Sequence, residues 1–393
     1  MTLPRGLRRR GGLRGRACAP ATLVVRDGRI EQCVPGAPVP EGAREVDLTG
    51  KSVVPGLIDA HAHLTLGDVR ASDADLTLRA VERAMGQLRV GITTVRDVGG
   101  MRHIDLRLRD AVDEGLLPGP TLQCAGEPIV MTGGHGHEMY RVADGKAEVL
   151  KAVRDQLAAG ADLIKVMCSG GVYEVGESAT SSQFTDEELS AIVGEARAQG
   201  RPVAAHAHPA EAIKRAIRLG ASSIEHGSFV DDEAADLMRE HNVALIPTFV
   251  VYRVLSHHRS HPGLHAPARS IYQAKFPLFR RAVARGAPWG VGSDYSSMFF
   301  SGFDALLEEM EILEQEVGFS TAEVVSAVTA TNAEILGLDG QVGKLEPGQW
   351  ADFVAIDGPL TNVSALRDIC LTVKRGHVYD WARLSADAAA APA

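Results

Sequence analysis

The sequence predicts an α/β protein organised as a (β/α)8 TIM barrel with a small β-sandwich made from both chain ends, and three observations carry that prediction. Apolar runs of strand length alternate with helical text across residues 55–339. Several runs end in a residue able to bind a metal ion: His61 and His63 on the first, Lys165 on the fourth, His206 on the fifth, His226 on the sixth and Asp294 on the eighth. A closed barrel brings the C-terminal ends of its strands to one face, which gives these scattered residues a common place; an open doubly wound sheet does not.

The elements follow in order. From Ala21 the text is strand-like, and Asp27-Gly28 between short apolar runs predicts a hairpin. A short piece at 45–48 and a run through 51–64 follow, the latter ending in the HxH pair. Residues 73–90 read as a helix ended by Gly91, then strand 91–97, helix 103–114 and strand 121–125. Helix 146–159 precedes strand 162–167, and a Gly- and Ser-rich loop runs to Gln183. Thr185 with Glu188 forms a capping box for helix 186–199. Strand 202–206, helix 209–219 with Pro209 in its first turn, strand 223–226, helix 231–240, strand 243–248, a long helix 266–285 and strand 289–294 complete eight strands. Helices 302–316 and 321–336, the second capped by Ser320 and Glu323, close the barrel over 55–339. Strands within 343–356 and 369–379 return to the first strands, so that 21–54 and 340–382 form one composite β-sandwich. Segments 1–20 and 383–393 are expected to be disordered.

Composition narrows the function classes. The chain has 393 residues, 45% hydrophobic but only 5% aromatic, so its core is built mainly from Ala, Val, Leu and Ile. Net charge is −9, with no basic stripe interleaved with aromatics, which argues against nucleic acid as a partner. Cys18, Cys33, Cys124, Cys168 and Cys370 are odd in number and contain no CxxC, so neither a disulfide framework nor a thiolate zinc knuckle is indicated. A reducing cytoplasm fits, and no apolar run reaches the roughly 20 residues of a membrane-spanning helix. Residues 1–16 carry Arg5, Arg8, Arg9, Arg10, Arg14 and Arg16 without an acid; this reads as an arm or start-site extension, with an organellar transit peptide as the alternative.

Residues i and i+2 of a strand point to one side, so His61 and His63 can face one metal ion, with Asp59 one step back at the same parity. Imidazoles with an aspartate suit zinc or another divalent transition metal. Lys165 is the odd member, because an ammonium repels a cation. It can serve only as a neutral amine, which burial favours, or as a carbamate formed with carbon dioxide that bridges two metals.

At these residues the chain resembles the amidohydrolase superfamily: residues 55–64 (PGLIDAHAHL), 164–167 (IKVM), 204–208 (AAHAH), 224–228 (IEHGS), 292–294 (GSD) and 343–352 (GKLEPGQWAD) look like its landmarks. More narrowly, 132–136 (TGGHG) with 165–171 (KVMCSGG) is similar to the prolidase-like branch of dipeptidases and carboxypeptidases, among Xaa-Arg-type and imidazolonepropionase-like sequences. The resemblance implies that His61 and His63 bind the more buried metal and His206 and His226 the more exposed one, with carbamylated Lys165 between them. Asp294 completes the first site and relays a proton from the attacking hydroxide to the departing amine. His208 is read as a helix-start residue just past its strand. His135 resembles a substrate-contacting histidine of the branch, with His137 a weaker candidate. Tyr252 is placed to donate to an oxyanion or a carboxylate, and Arg253 is a candidate counter-ion for that carboxylate. Cys168 is a buried small residue, and His257, His258, His261 and His265 form a helix connection, a lid or an adventitious metal cluster.

The implied activity is binuclear cleavage of a C–N bond in a dipeptide, an N-acyl amino acid or a peptide C-terminus, including a modified biosynthetic peptide. Two readings compete with it: a mononuclear hydrolase of a cyclic amide or amidine, or a deaminase, which Lys165 opposes; and a catalytically silent barrel, which retention of all six ligands opposes. The expected partner is a small molecule or peptide, and self-association stays open.

Overall fold

The computed structural model describes residues 21–36, 38–172, 178–258 and 262–379. The expected disordered segments, residues 380–382 of the composite layer, and His261 lie outside the described residues. The chain opens with β1 (Ala21–Arg26) and β2 (Arg29–Pro35), an antiparallel hairpin whose turn residues Asp27 and Gly28 both take positive φ, 50° and 75°. That pair of left-handed residues matches the twist of the flanking strands. Residues 45–48, expected as strand, form none. Val46 is 41% exposed, so its alternation has no buried face to favour a pairing.

Then come β3 (Lys51–Pro55) and β4 (Leu57–Ala62), α1 (Asp73–Arg89), β5 (Ile92–Asp97), α2 (Ile104–Asp113), β6 (Thr121–Cys124), and two short strands, β7 (Ile129–Val130) and β8 (Arg141–Val142). The alternation continues with α3 (Gly145–Ala159), β9 (Ile164–Met167), α4 (Asp186–Ala198), β10 (Val203–Pro209), α5 (Ala210–Leu219), β11 (Ser223–Phe229), α6 (Asp232–His241) and β12 (Ala244–Ile246). Both predicted capping boxes form, Thr185 with Glu188 and Ser320 with Glu323. Pro209 sits at the N-cap of α5 rather than inside its first turn.

Two departures follow. Residues 249–255, expected as the connection beyond strand 243–248, form a helix, α7 (Phe249–Leu255), before the long α8 (His265–Ala284). Residues 289–294 form no regular strand. They are extended and bonded singly: Gly290 N–H donates to Leu245 O at 3.0 Å, Ala60 N–H to Val291 O at 3.1 Å and Asp294 N–H to His61 O at 2.8 Å. The physical reason is Asn332, whose amide accepts from Val291 N–H at 2.9 Å and donates to Val291 O and Ile58 O, both at 2.7 Å, replacing ladder bonds on both segments. Gly292 is required here, since a Cβ would lie 2.6 Å from that of His61.

After α9 (Ala305–Ile312), α10 (Thr321–Ser326) and α11 (Asn332–Ile335), the chain returns as β13 (Phe353–Asp357), β14 (Ile369–Lys374) and β15 (His377–Tyr379). The single helix expected over 321–336 is interrupted by a π-turn at Ala327–Thr331. The parallel strands form two sheets, β4-β5-β6 and β12-β11-β10-β9-β7-β8, joined by single backbone bonds such as Asp162 N–H to Cys124 O at 2.8 Å rather than by one continuous ladder. A four-stranded antiparallel sheet, β15-β14-β13-β3, mixes both chain ends, and Ile30 of the hairpin packs with Phe353 and Val373 in a second apolar cluster.

Candidate functional site

His61 and His63 lie at the end of β4 and are buried. His61 Nδ1 is hydrogen-bonded to Glu225 at 2.6 Å, and His63 Nδ1 to Gly99 O at 3.0 Å, so both rings present Nε2 inward. Each Nε2 is 3.2 Å from Asp294 Oδ1. Glu225 is itself held by Arg96 at 2.8 Å and Ser223 at 2.5 Å. Burial alone would push its pKa up, but Arg96 and His61 outweigh it and keep the carboxylate well below its usual range. Asp59, beneath them, accepts from His61 N–H, Ser293 N–H and Ser293 Oγ, and burial pushes it up to about 6.

Lys165 rises from β9, fully buried, and desolvation pulls its amine down to about 8. His206 on β10 and His226 on β11 stand with ring centroids 4.6 Å apart, and His61 and His226 at 5.0 Å. Burial, then neighbouring imidazoles, hold His206 and His226 well below the ordinary histidine value, as neutral ligand-type rings. Consecutive strand residues point to opposite faces, so Glu225 and His226 cannot both face inward on a regular pleat. His226 escapes by adopting φ 69°, and Asp294 does the same at φ 54°, the kind of local strain that collects at functional sites. His226 Nδ1 is then tied to Thr248 Oγ1 at 2.7 Å.

His208 is corrected. It lies within β10, not past it, is buried, and stacks on His226 with centroids 5.1 Å apart. The Pro209 that follows it reads as a helix opening, and the strand runs further than the apolar pattern indicates. His135 stacks on His206 at 4.5 Å and fills the space a side chain at Gly171 would need. His137 does not line the cavity, whereas Tyr252 does, its hydroxyl 3.5 Å from His208 Nε2. Arg253 does not face the cavity either: it pairs with Glu308 at 2.6 Å on the outside of α7, because consecutive helix residues diverge by about 100°. Cys168 is buried with its thiol pushed up to about 12, inert as expected. His265 Nε2 donates to His258 O, 2.8 Å away, and His257 bonds Ser256, so these rings serve a helix connection.

The donor set fits a divalent cation. His61 Nε2 is fully buried with no hydrogen-bond partner, its Nδ1 being committed to Glu225, and it faces a carboxylate oxygen, Asp294 Oδ1, at 3.2 Å. A lone pair aimed at an anion in a dry site is unfavourable unless a proton or a cation stands between them. Among the described residues, His61, His63 and Asp294 are the group of such atoms close enough to share one ion.

The sequence profile described as the Amidohydrolase family matches residues 52–379. Ochratoxinase of Aspergillus niger is 28% identical over 391 residues, covering 88% of this chain and 80% of its own. An imidazolonepropionase of Rubrobacter xylanophilus is 26% identical over 393 residues and covers 89% of each chain. The solved structure of a Xaa-Pro dipeptidase with bound methionine in the active site is similar at a TM-score of 0.84 and 30% identity, over 92% of this chain and 95% of that one.

Proposed function

The chain belongs to the amidohydrolase family, on its prolidase-like side, and is a metal-dependent hydrolase; we propose that it uses two ions to cleave the amide bond of a dipeptide, an N-acyl amino acid or a peptide C-terminus. The observation that carries this reading is Lys165, a buried amine brought down to about 8 beside the imidazole cluster. We read the two bridged parallel sheets as a (β/α)8 barrel whose strand ends carry the site, and the mixed sheet with its hairpin as a composite sandwich.

In this reading His61, His63 and Asp294 would hold one ion and His206 and His226 the other, and Lys165, as a carbamate, would add a further oxygen ligand. Zinc suits that donor set. Divalent ions so held would supply a Lewis acid for a scissile carbonyl and a source of hydroxide near neutral pH. The protein's own part is positional and protonic. Glu225 and Gly99 fix the ring orientation of the two β4 histidines, as outer partners of metal ligands do. Asp294, ionised and beside both rings, accepts the proton of the attacking water and returns it to the amide nitrogen, without which the amine leaves poorly. Tyr252 and His135 face the same space and are placed to donate to the carbonyl oxygen or a substrate carboxylate. No helix among the described residues is long and apolar enough to cross a membrane.

The test is metal content per chain on protein prepared with bicarbonate, alongside Lys165→Ala. Two ions per chain, falling to one or fewer in the variant, are expected. One ion unaffected by the substitution overturns the bridged centre and favours the mononuclear reading, a cyclic amide or amidine hydrolase, to which the imidazolonepropionase likeness lends weight.

A further inference from the structure

We infer that the subsite flanking the scissile bond takes a neutral, apolar side chain, of leucine, methionine or phenylalanine type, and disfavours basic and acidic ones. The inference rests on the reading of the site as one that hydrolyses amides. The space beside the imidazoles is about 80 Å³. Its wall away from them is made by Leu66 after β4, Met139 between β7 and β8, Val172 after β9, Leu255 at the end of α7, and Met298 and Phe299 after the extended segment 289–294. Among the described residues that line it there is no lysine or arginine, and the sole carboxylate is Asp294, whose Oδ1 is turned to the Nε2 atoms of His61 and His63, 3.2 Å from each.

Arg253, which the sequence offers as a cation for this space, is committed to Glu308 on the outer face of α7. A charged side chain entering the cavity therefore loses its hydration and meets no counter-ion among the described residues of this wall, a cost that an apolar side chain avoids. Apolar entry gains instead from area removed from water. Two of the wall residues, Met139 and Met298, are unbranched thioethers that adjust to the shape of their partner, which favours a range of apolar groups over a single fit.

The decisive experiment pairs binding with turnover on the metal-loaded protein. Binding of N-acetyl-phenylalanine, N-acetyl-leucine, N-acetyl-arginine and N-acetyl-aspartate is measured by calorimetry, and hydrolysis of the same four compounds by amine release. Phenylalanine and leucine are expected to bind at least tenfold more tightly than arginine or aspartate and to be cleaved correspondingly faster. Met298→Glu is expected to move the preference towards arginine and Met298→Lys towards aspartate, an opposed pair that misfolding does not produce. Selective binding without cleavage overturns the N-acyl amino acid as the substrate class and leaves the apolar subsite standing. Cleavage with equal affinities, or with arginine preferred by the unaltered protein, overturns the subsite and leaves the hydrolase. Binding of none of the four overturns the apolar subsite.

Discussion

Glu225 holds His61 through Nδ1, and that one contact decides which ring nitrogen faces Asp294. Glu225→Gln keeps the shape but removes the charge that favours a proton on Nδ1 and balances Arg96. Metal affinity is expected to fall about 10- to 100-fold, the usual range for an outer partner of a ligating histidine, as read by competition with a chelator; unchanged affinity would detach Glu225 from the site. Lys165 gives a second prediction, for metal-free protein without bicarbonate. Its buried amine is lowered to about 8 against an ordinary 10.5. Between those values the unfolded chain keeps a proton the native protein has already lost, so this residue makes stability rise with pH from about 8 to 10.5. Below about 8 the full penalty of burying the charge is present, about 3 kcal/mol. Lys165→Met should therefore melt at a higher temperature than the unaltered metal-free protein at pH 7, with the gap closing above pH 10; a lower melting point at pH 7 contradicts it. The candidate ligands were legible because they sit at the ends of apolar runs, His61 and His63 sharing one and Lys165, His206, His226 and Asp294 each ending its own. Glu225 and Arg96 were not, because what pairs them is the lateral neighbourhood of β5 and β11 across the site, 129 positions apart in the chain.

At the scale of elements, α7 shows how a short segment is placed by residues far away. Glu309 accepts from Phe249 N–H at 2.9 Å and Val250 N–H at 2.6 Å, two donors at a helix start that would otherwise be buried without partners. Lys275 of α8 donates to Pro247 O just before the turn and lies 4.4 Å from the Tyr252 ring. Together they fix Thr248 at φ 49° and so orient His226 and Tyr252. Glu309→Ala removes both acceptors, and each orphaned donor costs about 1–3 kcal/mol. A lower melting temperature and a reduced kcat/KM are expected together, with Glu309→Gln, which retains one acceptor oxygen, losing less of each; equal losses would show that the acceptors are not what matters. This element was not legible, since its apolar run reads equally as the continuation of a strand, and its arbiter is 60 residues downstream. The extended segment 289–294 failed in the opposite sense. Its text is strand-like, but Asn332 takes the backbone bonds a ladder would need. By contrast, α4 and the helix starting after Ser320 carried their own start signals, and both boxes formed.

At the scale of the molecule, the two chain ends and the parallel sheets share residues rather than merely touching. β3 runs into β4 through Gly56, whose N–H donates to Asp352 O at 2.9 Å. The Asp352 carboxylate also accepts from Lys374 at 2.5 Å, and Lys374 donates to Thr121 of β6 at 2.6 Å, so one ammonium ties both layers. Gly91, which ends the helix before β5, packs against Ile369 and Val354 so closely that a side chain there would meet both. An antiparallel sheet that also depends on β3, a strand covalently continuous with the first ligand-bearing strand, has no independent way to unfold. The prediction is that calorimetry shows one transition for the whole chain, and that damage in the composite layer moves all of it. Phe353→Ala is the chosen probe, since Phe353 is 6% exposed in the second apolar cluster, in register with Pro55 on β3 and far from the imidazoles. Loss of its ring should cost about 3–5 kcal/mol. A single transition displaced to lower temperature, with metal content per folded chain unchanged, is the expected result. A split into two transitions, the upper one unmoved, would show that the parallel sheets stand without the layer that both chain ends build.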